Sequence, residues 1–94
     1  MNRHEQINRQ AKVDATVAAL DQSLHNEGYH VIRDAKKLAL LLEMAGEPAW
    51  RIIANAAGVN MPSAETRRMV CAVYRSRAYA ADRRQTDPFE GLAS

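Results

Sequence analysis

PAWRIIANAAGVNMPSAETRRMVCAVYRSRAYAADRR, running from Pro48 to Arg84, is the stretch that decides the fold. At its start Trp50, Ile53 and Ala57 share one face, flanked by Ala49, Ile52 and Ala56, which is the spacing of a short amphipathic helix. Glu47 and Pro48 open this helix, since proline lacks only an N–H that the first turn leaves unpaired anyway. Gly58 then stands where a left-handed residue ends a helix, and Met61-Pro62 breaks the chain. Ser63 is placed to cap a further helix, with Glu65 in its first turn, where the helix dipole favours negative charge. No Gly or Pro interrupts the sequence from there to the Asp87-Pro88 turn, so a long helix is expected to reach Arg84. On that helix Met69, Val70, Val73 and Tyr74 project to one side, and Arg67, Arg68, Arg75, Tyr79 and Arg83 to the other. Arg77 and Arg84 fall near the apolar side and have to reach out past its edge.

The same punctuation recurs upstream, where Gly28 and Gly46 each follow an amphipathic run and are read as left-handed helix ends. A first helix is expected over Glu5 to Asn26, with Val13, Val17, Leu20 and Leu24 forming a narrow seam like that of a bundle or coiled coil. Ile7 falls about 100° off that seam. A second helix is expected from His30 to Ala45, with Val31, Ala35, Leu38, Leu42 and Ala45 in one stripe and Lys36 and Glu43 opposite. Leu40, Leu41 and Met44 carry apolar character almost all round its C-terminal half, which marks it as a central helix covered on several sides, or as a helix half covered by a partner chain. Trp50, the only tryptophan, is the natural anchor of the third helix to the core. The fold class is therefore all-α: a single small domain of four helices over residues 1–84, with a helix-turn-helix-like C-terminal half and a tail over 85–94. The seam of the first helix offers a surface on which a second copy could form a homodimer.

Length and composition agree. With 94 residues, 47% of them hydrophobic and 26% charged, the chain suits one cooperative domain and neither a disordered polymer nor a membrane span. The longest apolar run, Leu38 to Leu42, is far short of the roughly 20 residues a bilayer requires. The polar N-terminus leads into no apolar signal region, and the lone Cys71 agrees with a reducing compartment, so a cytoplasmic protein of a bacterium or phage is expected. The sequence carries no Gly-rich phosphate loop, His-Glu-x-x-His helix, calcium loop or nucleophile elbow, and no enzyme activity, cofactor or metal is expected. Of the three histidines, His4, His25 and His30, the last two are separated by Gly28 and do not project from one helix face, and Cys71 has no base positioned beside it, so it is read as a small buried thiol.

Charge supplies the functional expectation. The whole chain has a formal net charge of only +2, but between Val59 and Arg84 six arginines meet two acids, Glu65 and Asp82, a local excess of four. Arginine occupies every basic position there, and its planar fork suits pairs of phosphate or carboxylate oxygens. Arg67, Arg68, Arg75 and Arg83, with Tyr79 on the same face, are therefore the expected contacts for duplex DNA, tracking phosphates and reaching a base edge through Arg68 or Arg75. Ala54, Gly58 and Val59 resemble the first half of a helix-turn-helix. The positions six and nine beyond the glycine, Ala64 and Arg67, do not suit the short version, so either the turn is longer or the resemblance is accidental. The alternative expectation is a protein-interaction module, an adaptor or inhibitor, whose basic helix meets an acidic or nucleic-acid-binding protein. In that reading Phe89 and Leu92 of the tail could serve as a docking peptide.

Overall fold

The computed structural model describes residues 3–86, with side chains described for 6–83. Four α-helices account for it: α1 (Arg3–Asn26), α2 (Ala35–Met44), α3 (Glu47–Ala57) and α4 (Ala64–Thr86). The tail residues Phe89 and Leu92 lie outside the described residues. None of the described helices is long and apolar enough to cross a membrane.

Two of the helices stop in the same way. At the end of α1 the Tyr29 N–H donates to the Leu24 carbonyl and the Gly28 N–H to His25; at the end of α3 Val59 donates to Ala54 and Gly58 to Asn55. Both are Schellman closures, and both need a residue with positive φ, which Gly28 (φ 100°) and Gly58 (φ 74°) supply. Gly46 behaves differently from expectation. Its φ of −78° and ψ of 179° are extended, and it precedes α3 as the N-cap, its carbonyl accepting the Trp50 N–H at 3.0 Å. An N-cap residue takes extended dihedrals while its carbonyl accepts the first bond of the helix, so Gly46 serves the start of α3, and Pro48 in the first turn gives up only an N–H that has no partner there.

The second helix is shorter than its periodicity suggests. His30 to Asp34 form a turn in which the His30 Nδ1 accepts the Arg33 N–H at 2.9 Å and an Asp34 carboxylate oxygen accepts the His30 N–H at 2.9 Å. Side chains that satisfy the local backbone in this way compete with helix, so the first turn expected for this segment is replaced and α2 begins at Ala35.

Helices α1 and α4 run parallel. Arg9 meets Glu65 near their starts and Asp21 meets Arg77 further along, both pairs 56 residues apart in sequence. Parallel neighbours require a crossover. Helix α2 supplies most of it by packing along α4, and α3 packs chiefly on α1. The connection from α3 to α4 covers 58–63, so the turn is not the short one. Ser63 caps α4, its Oγ accepting the Thr66 N–H at 3.2 Å.

The core gathers Val13, Val17 and Leu20 of α1, Leu38, Ala39 and Leu42 of α2, Trp50 of α3, and Val70, Cys71 and Tyr74 of α4. Each large side chain buried here contributes roughly 1.5–3 kcal/mol by leaving water. The α1 seam is thus covered by the neighbouring helices of its own chain. Trp50 is the expected anchor, 2% exposed, its indole N–H donating to the Leu42 carbonyl that α2 leaves open at its C-terminal end. Burial of the C-terminal half of α2 is one-sided, contrary to the expectation of a central helix. Leu40, Leu41 and Met44 are 52%, 50% and 83% exposed, since four small helices supply neighbours for one face of α2 only.

Candidate functional site: the two edges of helix α4

The buried line of α4 is Val70, Cys71 and Tyr74, within an arc of about 100°. Arg67 falls in the middle of that arc, one turn before Cys71, so it is half-buried and does not share the outer face with Arg68. Arg68, Arg75, Tyr79 and Arg83 are exposed. They follow one another along about 22 Å of helix at 1.5 Å per residue, and the other exposed residues between them are the small Ala72, Ser76 and Ala80 and one acid, Asp82. Four of the five expected contacts therefore stay together, and the fifth is turned inward.

The arginines of α4 have different partners. Arg68 makes no ion pair among the described residues. The Arg75 Nε lies 2.9 Å from a carboxylate oxygen of Glu43 on α2, in a pair open to solvent. Arg83 stands over the Tyr79 ring, 5.9 Å from its centre, stiffening the far end of the face. Glu65, the acid of the first turn, is held by Arg9 at 3.0 Å. Arg77 belongs to the opposite edge. Its two terminal nitrogens each lie 2.9 Å from an oxygen of Asp21, a bidentate pair, and the Tyr74 hydroxyl donates to the same carboxylate at 2.6 Å. Bonding to Asp21 pushes the Arg77 guanidinium further up from its ordinary value. Burial, and then the Asp21 hydrogen bond, pushes the Tyr74 phenol well above the usual range.

A cleft of about 450 Å³ opens where α4 begins. Leu42, Ala45 and Trp50 form its apolar wall, Cys71 lies at its back, and Arg67, Arg68 and the Glu43–Arg75 pair complete its rim. The Arg67 Nε is buried and has no hydrogen-bond acceptor among the described residues. Burial, followed by the Glu43 charge, raises the Cys71 thiol above its ordinary value, with Arg75 pulling the other way, so the thiol stays protonated and unreactive at neutral pH. Sequence reasoning missed this cleft. The i, i+4 spacing of Arg67 and Cys71 signalled a shared face, but nothing in the sequence said that the ends of α2 and α3 would stand opposite it.

A second concavity, of about 420 Å³, lies between α1, α2 and α3, lined by Leu24, Tyr29, Leu41, Met44, Ala49 and Ile53 among others. It adjoins the bare side of α2 and carries no nucleophile or metal-ligating cluster. No protein-family model matches the sequence, and no curated protein or solved structure is significantly similar to it.

Proposed function

We propose that the protein is a small regulatory protein that binds duplex DNA through the outer face of α4. The observation that carries this reading is the row Arg68, Arg75, Tyr79 and Arg83 on one exposed side of an uninterrupted helix, with the small Ala72 and Ser76 among them and a single acid, Asp82, beside the last arginine. Guanidinium forks suit phosphate oxygens bidentately, and phosphate contacts supply most of the affinity of such proteins. Titration of a labelled duplex, followed by anisotropy across a salt series, tests it. Affinity should fall steeply with salt, with a log–log slope of about −3 for three engaged arginines. Arg68→Glu together with Arg83→Glu should abolish binding without altering the melting temperature. No binding even at low salt removes the proposal.

A second reading rests on a separate observation, the exposed Leu40, Leu41 and Met44 beside the α1–α2–α3 groove. Exposed apolar surface of that kind marks protein contacts, including contacts with a second copy. Light scattering over a concentration series measures the latter, and Leu41→Lys with Met44→Lys should return any dimer to monomer. A protein that stays monomeric throughout excludes self-association by this surface.

A further inference from the structure

We infer that the cleft at the start of α4 is a binding site for a small amphipathic oxyanion, its carboxylate or phosphate held by Arg67 and Arg68 and its apolar body lying against Leu42, Ala45 and Trp50. The inference does not rest on DNA binding, although Arg68 belongs to both surfaces.

Three features point the same way. The first is Arg67, whose half-buried side chain lines the cleft and has no ion-pair partner among the described residues; its Nε is closed off without an acceptor, so the charge of its guanidinium is left to an oxyanion meeting its cleft-facing side. The second is charge. Glu43 already answers Arg75, so the four charged groups of the lining leave an excess of two positive charges, carried by Arg67 and Arg68 in adjacent positions. An oxyanion with two or three oxygens can engage both guanidinium forks. The third is the wall, whose aliphatic and indole surface gives nothing to an inorganic ion and favours a ligand with an apolar part about the size of one ring, within the range of small-molecule sites. Cys71 behind it stays a thiol, so the recognition is non-covalent.

The test uses the full chain and Trp50, its only tryptophan, as the reporter, because the indole forms part of the wall. Phenyl phosphate, benzoate, inorganic phosphate and benzyl alcohol are titrated in turn by fluorescence and by calorimetry. The two aromatic anions should bind with Kd of about 1 mM or tighter, and each of the other two at least about tenfold more weakly. Whichever of phenyl phosphate and benzoate binds more tightly identifies the headgroup as phosphate or carboxylate. Arg67→Gln should weaken the better probe at least about tenfold, and the exposed Arg68→Gln gives an independent measure if the first variant melts early. Arg83→Glu, remote from the cleft, should change this binding by less than about twofold while abolishing attachment to DNA in combination with Arg68→Glu. The inference is overturned by any of three results: no response to either aromatic anion, benzyl alcohol binding as tightly as benzoate, or wild-type affinity in both Arg67→Gln and Arg68→Gln.

Discussion

Arg75 and Arg77 stand two residues apart on α4, each 2.9 Å from a carboxylate of another helix, yet the two edges they occupy differ in kind. On the α1 edge the Arg77 side chain is 23% exposed and Asp21 26%, and the carboxylate accepts from Tyr74 as well. On the α2 edge Arg75 is 60% exposed and its bond to Glu43 is single. Neither residue type nor distance separates them. What does is the neighbouring helix: α1 lies parallel to α4 and closes over Arg77, whereas α2 ends at Met44, beside Arg75, and leaves water on its other side. One ion pair fixes the register of two helices, and the other leaves a cation available for an outside partner.

The strongest way to break this contrast is to remove the residue on which the α1 edge is built. Tyr74 is fully buried, and Tyr74→Ala should cost about 3–5 kcal/mol in urea unfolding through lost packing. Tyr74→Phe, which deletes only the hydroxyl, should cost about 1 kcal/mol. Asp21→Ala comes next, at about 2 kcal/mol, a figure reduced from that of a fully buried pair because a quarter of each side chain still meets water. Equal losses from Asp21→Ala and Glu43→Ala would erase the distinction between the edges.

Alkaline pH gives a smaller effect with a definite sign. The folded chain holds the Tyr74 phenol above its ordinary value of 10.0 and the Cys71 thiol above 9.0. A raised pKa means that the folded state retains its proton more tightly than the unfolded state does. The stabilisation is complete below pH 9 and is lost as the pH climbs through the two folded values. Melting temperature should therefore be flat through neutrality and decline above pH 9, and Cys71→Ala should move the onset of the decline towards pH 10. A decline that starts below neutrality would contradict the burial of these groups.

Several of these features could be read before any coordinates. The apolar periods of Val13, Val17 and Leu20, the glycines at 28 and 58, the proline-opened α3 and the Ser63 cap all act within a turn or two of chain, and local rules capture them. The failures are of two kinds. His30 and Asp34 override the helical period by bonding to the backbone between them, a choice that periodicity does not register. The rest concerns partners: Leu40 looks as buried as Leu38, and Arg67 as exposed as Arg68, until it is known which face of each helix meets another. The ridge was legible because it depends on α4 alone, and the cleft was not, because α2 and α3 supply half of it.

The finest test of the contrast is Glu43→Gln measured against Asp21→Asn. Removing the Glu43 charge should cost less than about 0.5 kcal/mol, since an exposed pair exchanges a weak attraction for hydration of both partners. It also releases Arg75 to the ridge, so affinity for duplex DNA at low salt should rise about two- to fourfold, and the gain should fade as salt screens the added charge. Asp21→Asn removes the same unit of negative charge from the protein but leaves Arg77 packed against the Tyr74 ring, 5.0 Å from its centre, on the far edge of α4. That variant should lose stability with no gain in affinity beyond what net charge alone provides. Because the two substitutions are matched in charge, any difference between them in DNA affinity reports position. An equal rise in both would mean that the overall field, and not the ordered row on α4, attracts the polymer.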